Sequence, residues 1–353
     1  MFHVKFHYSW LPGQQQSKSG EMQLFGLLEG IHREGSLRAA CQQVGLSYRY
    51  AWGLLGRWSE HFGQPLAMLE QGRGAFLTPL GKKLLWAQQR VQARLAPQIE
   101  ALSAELEREL ASAIEPDTAR IDIVASHDLA LTAVRDHLAR NGGPRLDVRF
   151  QGSVACLAAL EADQAEVAGF HAGPEHAEAD AFRRMLNPRS MSLIRFVTRR
   201  QGLILTAGNP KRIRGVKDLV RTEFINRQAG SGTRLAFDRL LSQAKVGTGK
   251  IAGYQNEEFT HLAVAATIAS GHAEAGMGIE AAARQYGLDF LPLFDEAYFL
   301  ACRTKLLDTA KMQKLLSQLA KPALRQMLAK IPGYGVDGLG TLIDIDSAFK
   351  PSA

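Results

Sequence analysis

The chain has 353 residues, 46% of them hydrophobic and 22% charged, with 33 glycines and 13 prolines distributed along it. This excludes a disordered polyelectrolyte, a collagen-like repeat and a low-complexity chain, and the length calls for two or three domains. Three cysteines, Cys41, Cys156 and Cys302, are odd in number and lack C-x-x-C spacing, so neither a disulfide framework nor a cysteine zinc site is expected and a reducing cytoplasm fits. The first residues show no basic segment followed by an apolar one, and no apolar run approaches the ~20 residues of a membrane helix, so neither a secretory signal nor membrane association is expected.

Charge is unevenly divided. Residues 1–94 carry eleven Lys/Arg against five acids, a net +6, whereas the remainder carries 31 against 30, a net +1. A basic head on a nearly neutral body suggests a nucleic-acid-binding head joined to a ligand-binding or catalytic body, the alternative being an ordinary basic surface.

From Glu21 to about His32, Met22, Leu24, Phe25, Leu27, Leu28 and Ile31 recur at helical spacing. Ser36 then stands at an N-cap position, and Leu37, Ala40, Cys41 and Val44 mark the buried stripe of a short second helix. Gly45-Leu46 interrupts it, Ser47 offers another N-cap, and a third helix runs to about Phe62 with Ala51, Leu54, Leu55 and Trp58 on one face. Two short helices joined by a tight glycine turn predict a helix-turn-helix, with Ser47, Tyr48, Arg49 and Tyr50 at the base-reading end of the second helix; packing against helix neighbours is the alternative for both tyrosines. Two apolar stretches around Gly72-Arg73-Gly74 predict a β-hairpin wing whose Arg73 could reach a phosphate or the minor groove, or be a solvated loop charge. Thr78-Pro79 opens a further helix with Lys82 and Lys83 at its start. The candidate DNA-contacting set is Ser36, Ser47, Tyr48, Arg49, Tyr50, Arg57, Arg73, Lys82 and Lys83.

Gly35-Ser-Leu-Arg-Ala-Ala, Val44-Gly-Leu-Ser-Tyr-Arg-Tyr-Ala-Trp and Gly72-Arg-Gly-Ala-Phe-Leu-Thr-Pro-Leu-Gly resemble the winged helix-turn-helix of molybdate-responsive ModE-type regulators, and the layout is shared with LysR-type regulators. The resemblance covers roughly residues 20–90. From Leu80 through Leu110 an apolar stripe (Leu84, Leu85, Val91, Leu95, Ile99, Leu102, Leu106, Leu110) predicts a long helix that pairs with its copy in a dimer, as a palindromic operator requires, either alone or as half of a tetramer. Pro97 is expected to kink or divide this helix. Pro116-Asp117-Thr118 places a boundary at 112–118. The expected domains are 1–88 (winged head), 89–115 (linker and dimerisation helix) and 116–353 (effector domain, lobe I about 116–198 and 299–353, lobe II about 199–298).

Strands and helices then alternate. Strands at Arg120–Ala125, Leu146–Phe150, Glu166–His171 and Leu203–Thr206 with intervening helices predict a mostly parallel α/β sheet with ligands at the C-terminal strand ends. Ser126, beside His127, and Ser153 occupy strand-to-helix corners, where backbone N–H groups and hydroxyls suit an anion, though each serine equally suits an N-cap. Asn226-Arg-Gln-Ala-Gly-Ser-Gly-Thr-Arg reads as a strand, a turn and a helix start: Ser231, Gly232 and Thr233 form an anion cradle, with Arg227 and Arg234 as charged donors. It is not a Walker loop, having no Lys-Ser/Thr, and a structural turn is the alternative. Thr260 and His261 begin another helix, with His261 either a donor to the anion or a packed or capping histidine.

These segments, with Arg200-Gln-Gly-Leu-Ile-Leu-Thr-Ala-Gly-Asn-Pro, Ala275-Gly-Met-Gly-Ile and Tyr286-Gly-Leu-Asp-Phe-Leu-Pro-Leu, resemble the periplasmic-binding-protein-like domain of molybdate and tungstate binding proteins, over roughly residues 118–330. The resemblance implies an α/β effector domain of two lobes behind an all-α/winged head, with crossing strands near 195–202 and 294–301 and an oxyanion or organic acid in the cleft. It implies a transcription regulator that binds a double-stranded operator and senses molybdate, tungstate or formate, beside an operon for a molybdenum or tungsten enzyme such as formate dehydrogenase. No cofactor or metal is expected. An oxyanion buffer is an alternative, and an enzyme on an anionic substrate a weaker one: no G-x-S-x-G or H-E-x-x-H occurs, and Ser126-His127-Asp128 cannot form a triad by adjacency.

Overall fold

A computed structural model of the protein describes residues 18–70, 74–114, 120–173 and 176–349. The chain separates into two compact units that divide between Ala93 and Arg94.

In the first unit, α1 (Lys18–Glu34), α2 (Leu37–Val44) and α3 (Tyr48–Phe62) are followed by a hairpin of β1 (Ala67–Glu70) and β2 (Gly74–Leu77) and by the first part of α4 (Pro79–Ile114), within which the division falls. The helix starts follow local cap chemistry. Ser36 Oγ accepts from the Ala39 N–H and Ser47 Oγ from the Tyr50 N–H. Thr78 Oγ1 accepts from the Gly81 N–H while donating to the Pro65 carbonyl, fixing the start of α4. Gly45 ends α2 at φ 70°, a left-handed conformation that costs glycine little and that sets the tight turn into α3. Leu24, Leu27, Leu28, Ile31, Leu54, Trp58, Leu66 and Leu85 form one core. Pro97 does not divide α4, which is continuous over its 36 residues. A proline removes one hydrogen bond of the ladder, and the Leu-, Ala- and Glu-rich flanks retain enough helix propensity to carry the helix past it.

The second unit holds β3 (Arg120–Ala125), α5 (Leu129–Arg140), β4 (Arg145–Phe150), α6 (Ser153–Glu161), β5 (Val167–Ala172), α7 (His176–Met185) and the 15-residue β6 (Met191–Leu205). Then come β7 (Phe224–Arg227), α8 (Gly232–Gln243), β8 (Glu257–Glu258), α9 (His261–Ala269), β9 (Ala275–Ile279), α10 (Glu280–Gln285) and the equally long β10 (Asp289–Arg303). It closes with α11 (Ala310–Leu319), α12 (Pro322–Ala329), β11 (Tyr334–Gly335), β12 (Leu342–Ile343) and α13 (Ile345–Ala348).

This is a two-lobed α/β fold, but its sheet is mixed rather than mostly parallel. The order is β4-β3-β5-β10-β6-β9-β7-β8. β3 is parallel to β4 and β5, and β7 is parallel to β8 and β9, as strand–helix–strand alternation dictates. Between these parallel blocks β6 and β10 run antiparallel to each other and to their outer neighbours β9 and β5. Each passes from one lobe to the other, so the Leu203–Thr206 segment, expected to be a strand of its own, largely forms the end of β6. The strands are fully apolar where they are covered on both faces, as in Val167–Phe170 and Ala275–Ile279. All three cysteines are free and buried.

No helix among the described residues is long and apolar enough to cross a membrane.

Candidate functional site

On the head, the start of α3 is exposed. Tyr48 is 50% accessible, and Arg49 has no partner among the described residues. Tyr50 is committed: its hydroxyl donates to Gln23 Oε1 at 3.0 Å, and the Arg57 guanidinium lies 5.9 Å from its ring centre. Ser36 and Ser47 act as caps, and Lys82 and Lys83 are exposed on the first turn of α4. Arg73 lies outside the described residues. One surface group escaped the sequence reading. Trp52 is 51% exposed one turn beyond Tyr48 on α3, and the signal for it was the i, i+4 spacing of two aromatics on a helix whose core stripe is already complete.

In the second unit, the corners β3–α5, β4–α6, β7–α8 and β8–α9 converge on a cleft of about 640 Å³, within the range of small-ligand sites. The first N–H groups of a helix have no intrahelical acceptor. Asp128, not Ser126, caps α5, and Gly152 precedes α6 without a side-chain cap. Ser231 Oγ takes the Arg234 N–H and Thr260 Oγ1 the Ala263 N–H. The N–H groups of Ser153 and Val154, of Gly232 and Thr233, and of His261 therefore remain as donors at helix ends that line the cleft.

The cleft also holds a charged cluster. Arg199 on β6 donates to Glu296 Oε1 of β10, and through Nη1 to Asp128 Oδ2 at 3.1 Å. Gln201 donates to the same Glu296 oxygen and to Thr233 Oγ1. Asp128 Oδ2 further accepts from Tyr334 at 2.9 Å and faces His171 Nε2 at 3.2 Å, while His171 Nδ1 lies 2.9 Å from Ser126 Oγ. Burial opposes ionisation of Asp128, but the His171 bond and Arg199 outweigh it and hold its carboxyl well below the usual range. Burial, reinforced by Arg199, keeps His171 neutral against the pull of Asp128.

Arg227 differs from Arg199. It is 8% exposed, donates to Gln228 Oε1 and to the Phe259 carbonyl, and has no carboxylate partner among the described residues. Burial and the neighbouring Arg199 push its guanidinium down to about 10, so it stays charged at neutral pH. His127, tilted against the Phe150 ring and pushed down to about 4 chiefly by burial, and His261, lowered chiefly by burial and then by Arg227, are both neutral. His261 Nδ1 is buried over Gly278 with no partner among the described residues, and a Cβ at Gly278 would sit 3.3 Å from it and 2.7 Å from Ile204 Cδ1.

The structure thus brings Ser126, His127, Ser153, Arg227, Ser231, Gly232, Thr233, Thr260 and His261 to one cleft. It corrects the reading of Arg234, whose guanidinium pairs with Asp238 and Glu257 and lies 4.2 Å from the Tyr254 ring centre, outside the cleft. As the third residue of α8, Arg234 points its side chain along the helix flank toward Asp238, not over the N-terminus. Ser126 and Ser153 are not N-caps: both meet His171, the first at its ring and the second at its backbone N–H. Ser126 and Asp128 do share a histidine, but it is His171 from β5, not their neighbour His127. Arg199, Gln201 and Glu296 escaped sequence analysis, although polar residues inside the apolar crossing strands were their available signal. Among the described residues no group of three or more His, Cys, Asp or Glu could hold a metal ion.

Comparison with known proteins places the chain as follows. It is 33% identical over 190 residues to the uncharacterized protein YvgK of Bacillus subtilis (strain 168), covering 52% of this chain and 61% of that one. It is 34% identical over 84 residues to the molybdenum-pterin-binding protein MopB of Rhodobacter capsulatus, covering 23% of this chain and 31% of that one. The chain therefore spans less than two thirds of either relative. Among solved structures, CbnR, a LysR family transcriptional regulator, superposes with a TM-score of 0.40 at 14% identity, covering 84% of this chain and 98% of that chain. The profile of the PBP superfamily domain matches residues 135–320, just over half of the sequence and including β4 through β10 of the cleft-bearing unit, and the chain belongs to the PBP superfamily.

Proposed function

We propose that the protein is a transcription regulator that binds DNA through its winged head and senses a small anion in the cleft. The observation that carries this reading is Arg227, a buried guanidinium with no carboxylate partner among the described residues, set among three helix N-termini. A buried charge is costly unless something compensates it, and an anionic ligand supplies that compensation. The head supports the DNA half with exposed Tyr48 and Arg49 at the start of the recognition helix α3, and with exposed Lys82 and Lys83 at the start of α4.

In this reading residues 1–88 are the DNA-binding domain, 89–115 the linker and dimerisation helix, and 116–353 the effector domain with lobes at about 116–198 with 299–353 and at 199–298. Leu102, Leu106 and Leu110, exposed at helical spacing on α4, form the seam of a homodimer on a palindromic operator. Molybdate, tungstate and formate are the first effectors to try, given the ModE-like motifs and the similarity to a molybdenum-pterin-binding protein, and a molybdenum or tungsten enzyme operon is the corresponding target.

The test has two arms. Thermal unfolding with molybdate, tungstate, sulfate, phosphate and formate should show a raised midpoint for at least one anion, since a ligand bound only to the folded state stabilises it by mass action. Binding to random and selected duplexes should show sequence preference, with Arg49→Ala reducing discrimination by about 1–3 kcal/mol. Anion binding without operator preference would make the protein an oxyanion buffer instead.

A further inference from the structure

The cleft does not offer donors alone. Glu296 is 7% exposed and lines it beside Arg227 and Arg199, and both of its hydrogen bonds, from Arg199 and Gln201, land on Oε1. Among the described residues no donor bonds Oε2, which is left as a carboxylate oxygen of a residue lining the cleft. Ser126 adds a second acceptor, by proton accounting. Asp128 Oδ2 accepts from Arg199 and Tyr334 and is ionised, so the His171 nitrogen facing it, Nε2, carries the proton. A neutral His171 then has its lone pair on Nδ1, 2.9 Å from Ser126 Oγ, and takes the serine proton. The serine oxygen is left with only lone pairs to offer.

We infer that the cleft selects an anion that carries its own O–H donor, such as hydrogenphosphate or a 2-hydroxycarboxylate, over fully deprotonated oxyanions and simple carboxylates. This rests on the anion-sensing reading above and narrows it. The acid group meets Arg227 and the helix N–H groups, and the hydroxyl donates to Glu296 Oε2 or to Ser126 Oγ. Molybdate, tungstate and sulfate present only acceptors, so each sets oxygen against oxygen at these two positions, and formate leaves them unpaired. An unpaired buried polar group is what makes hydrogen-bond selection steep, as compared with selection by size.

Matched pairs test this on the full-length protein at a pH of about 6, by calorimetry: phosphate against sulfate, and glycolate against acetate. In each pair the O–H-bearing member should bind at least tenfold more tightly, and comparison of the pairs tells an inorganic from an organic source. Glu296→Gln, which turns one acceptor into an amide able to donate, should reduce that ratio at least tenfold. Because Glu296 also holds Arg199, the wild-type ratios carry the test even if this variant fails to fold. Equal affinities within both pairs, with binding still lost in Arg227→Ala, would overturn the inference and leave the anion-sensing reading standing. Absence of binding by all four, and by molybdate and tungstate, would overturn both.

Discussion

On the head, Arg49, Arg57, Lys82 and Lys83 stand in solvent, whereas in the cleft Arg199 and Arg227 are 4% and 8% exposed. The same chemical group does different work in the two places. Exposed cations are screened by salt and contribute little singly, so a head that binds DNA as proposed acts through their number and through counterion release. A buried guanidinium is poorly screened and must be matched. Arg199 is matched by Asp128 and Glu296, and Arg227 is ion-paired with no carboxylate among the described residues. In the proposed reading the head meets a large ligand of repeating charge, and the cleft one small ligand.

The contrast can be broken first at the head. Trp58 is buried at the centre of the head core, and Trp58→Ala should cost about 3–5 kcal/mol. Calorimetry should show the loss of a low-temperature unfolding step and of DNA binding, with the anion-induced shift of the body retained. Loss of that shift as well would make the two units one cooperative structure.

Arg227→Met sharpens the contrast from the other side. Removing an unmatched buried charge should leave the ligand-free body as stable as wild type or more so, while weakening anion binding by about 2–4 kcal/mol. Lower stability of the ligand-free variant would mean that the protein itself compensates the charge.

The smallest effect is on pH. His127, His171 and His261 all have lowered folded pKa values. The unfolded chain therefore takes up protons below about pH 6.5 that the folded body refuses, and body stability falls with acidification by up to about 1.4 kcal/mol per pH unit for each histidine. The Asp128 carboxyl, held low in the fold, adds to the loss only further down, below about pH 4. Melting temperatures of the body from about pH 7.5 to 5 should decline, with a shallower slope in His127→Phe; an unchanged slope would show that His127 is protonated in the folded protein.

What could be read from sequence was local. Ser36, Ser47, Thr78, Ser231 and Thr260 cap helices where a hydroxyl precedes an apolar helical stripe, because a cap bond spans only three residues. The corners of the cleft were legible for the same reason. The cluster was not. Arg199 meets Glu296 across 97 positions, and His171 meets Ser126 across 45, and only the antiparallel passage of β6 and β10 and the seat of β5 beside β3 and β10 bring them together. The misreading of Arg234 has a partly different cause: its i, i+4 pairing with Asp238 was a local signal that went unused, whereas Glu257 and Tyr254 come from distant sequence.

The paired strands β6 and β10 carry one more consequence. Their ladder shifts register between Pro292 and Phe294 and again between Tyr298 and Phe299, bracketing Glu296 opposite Arg199. Bulges are where a ribbon bends and twists most easily. The ribbon that joins the lobes thus departs from regular pairing on either side of the very ion pair that lines the cleft. If the anion is held at Glu296 as proposed above, it acts on the joint itself, and its effect on the rest of the body need not pass through the lobe walls.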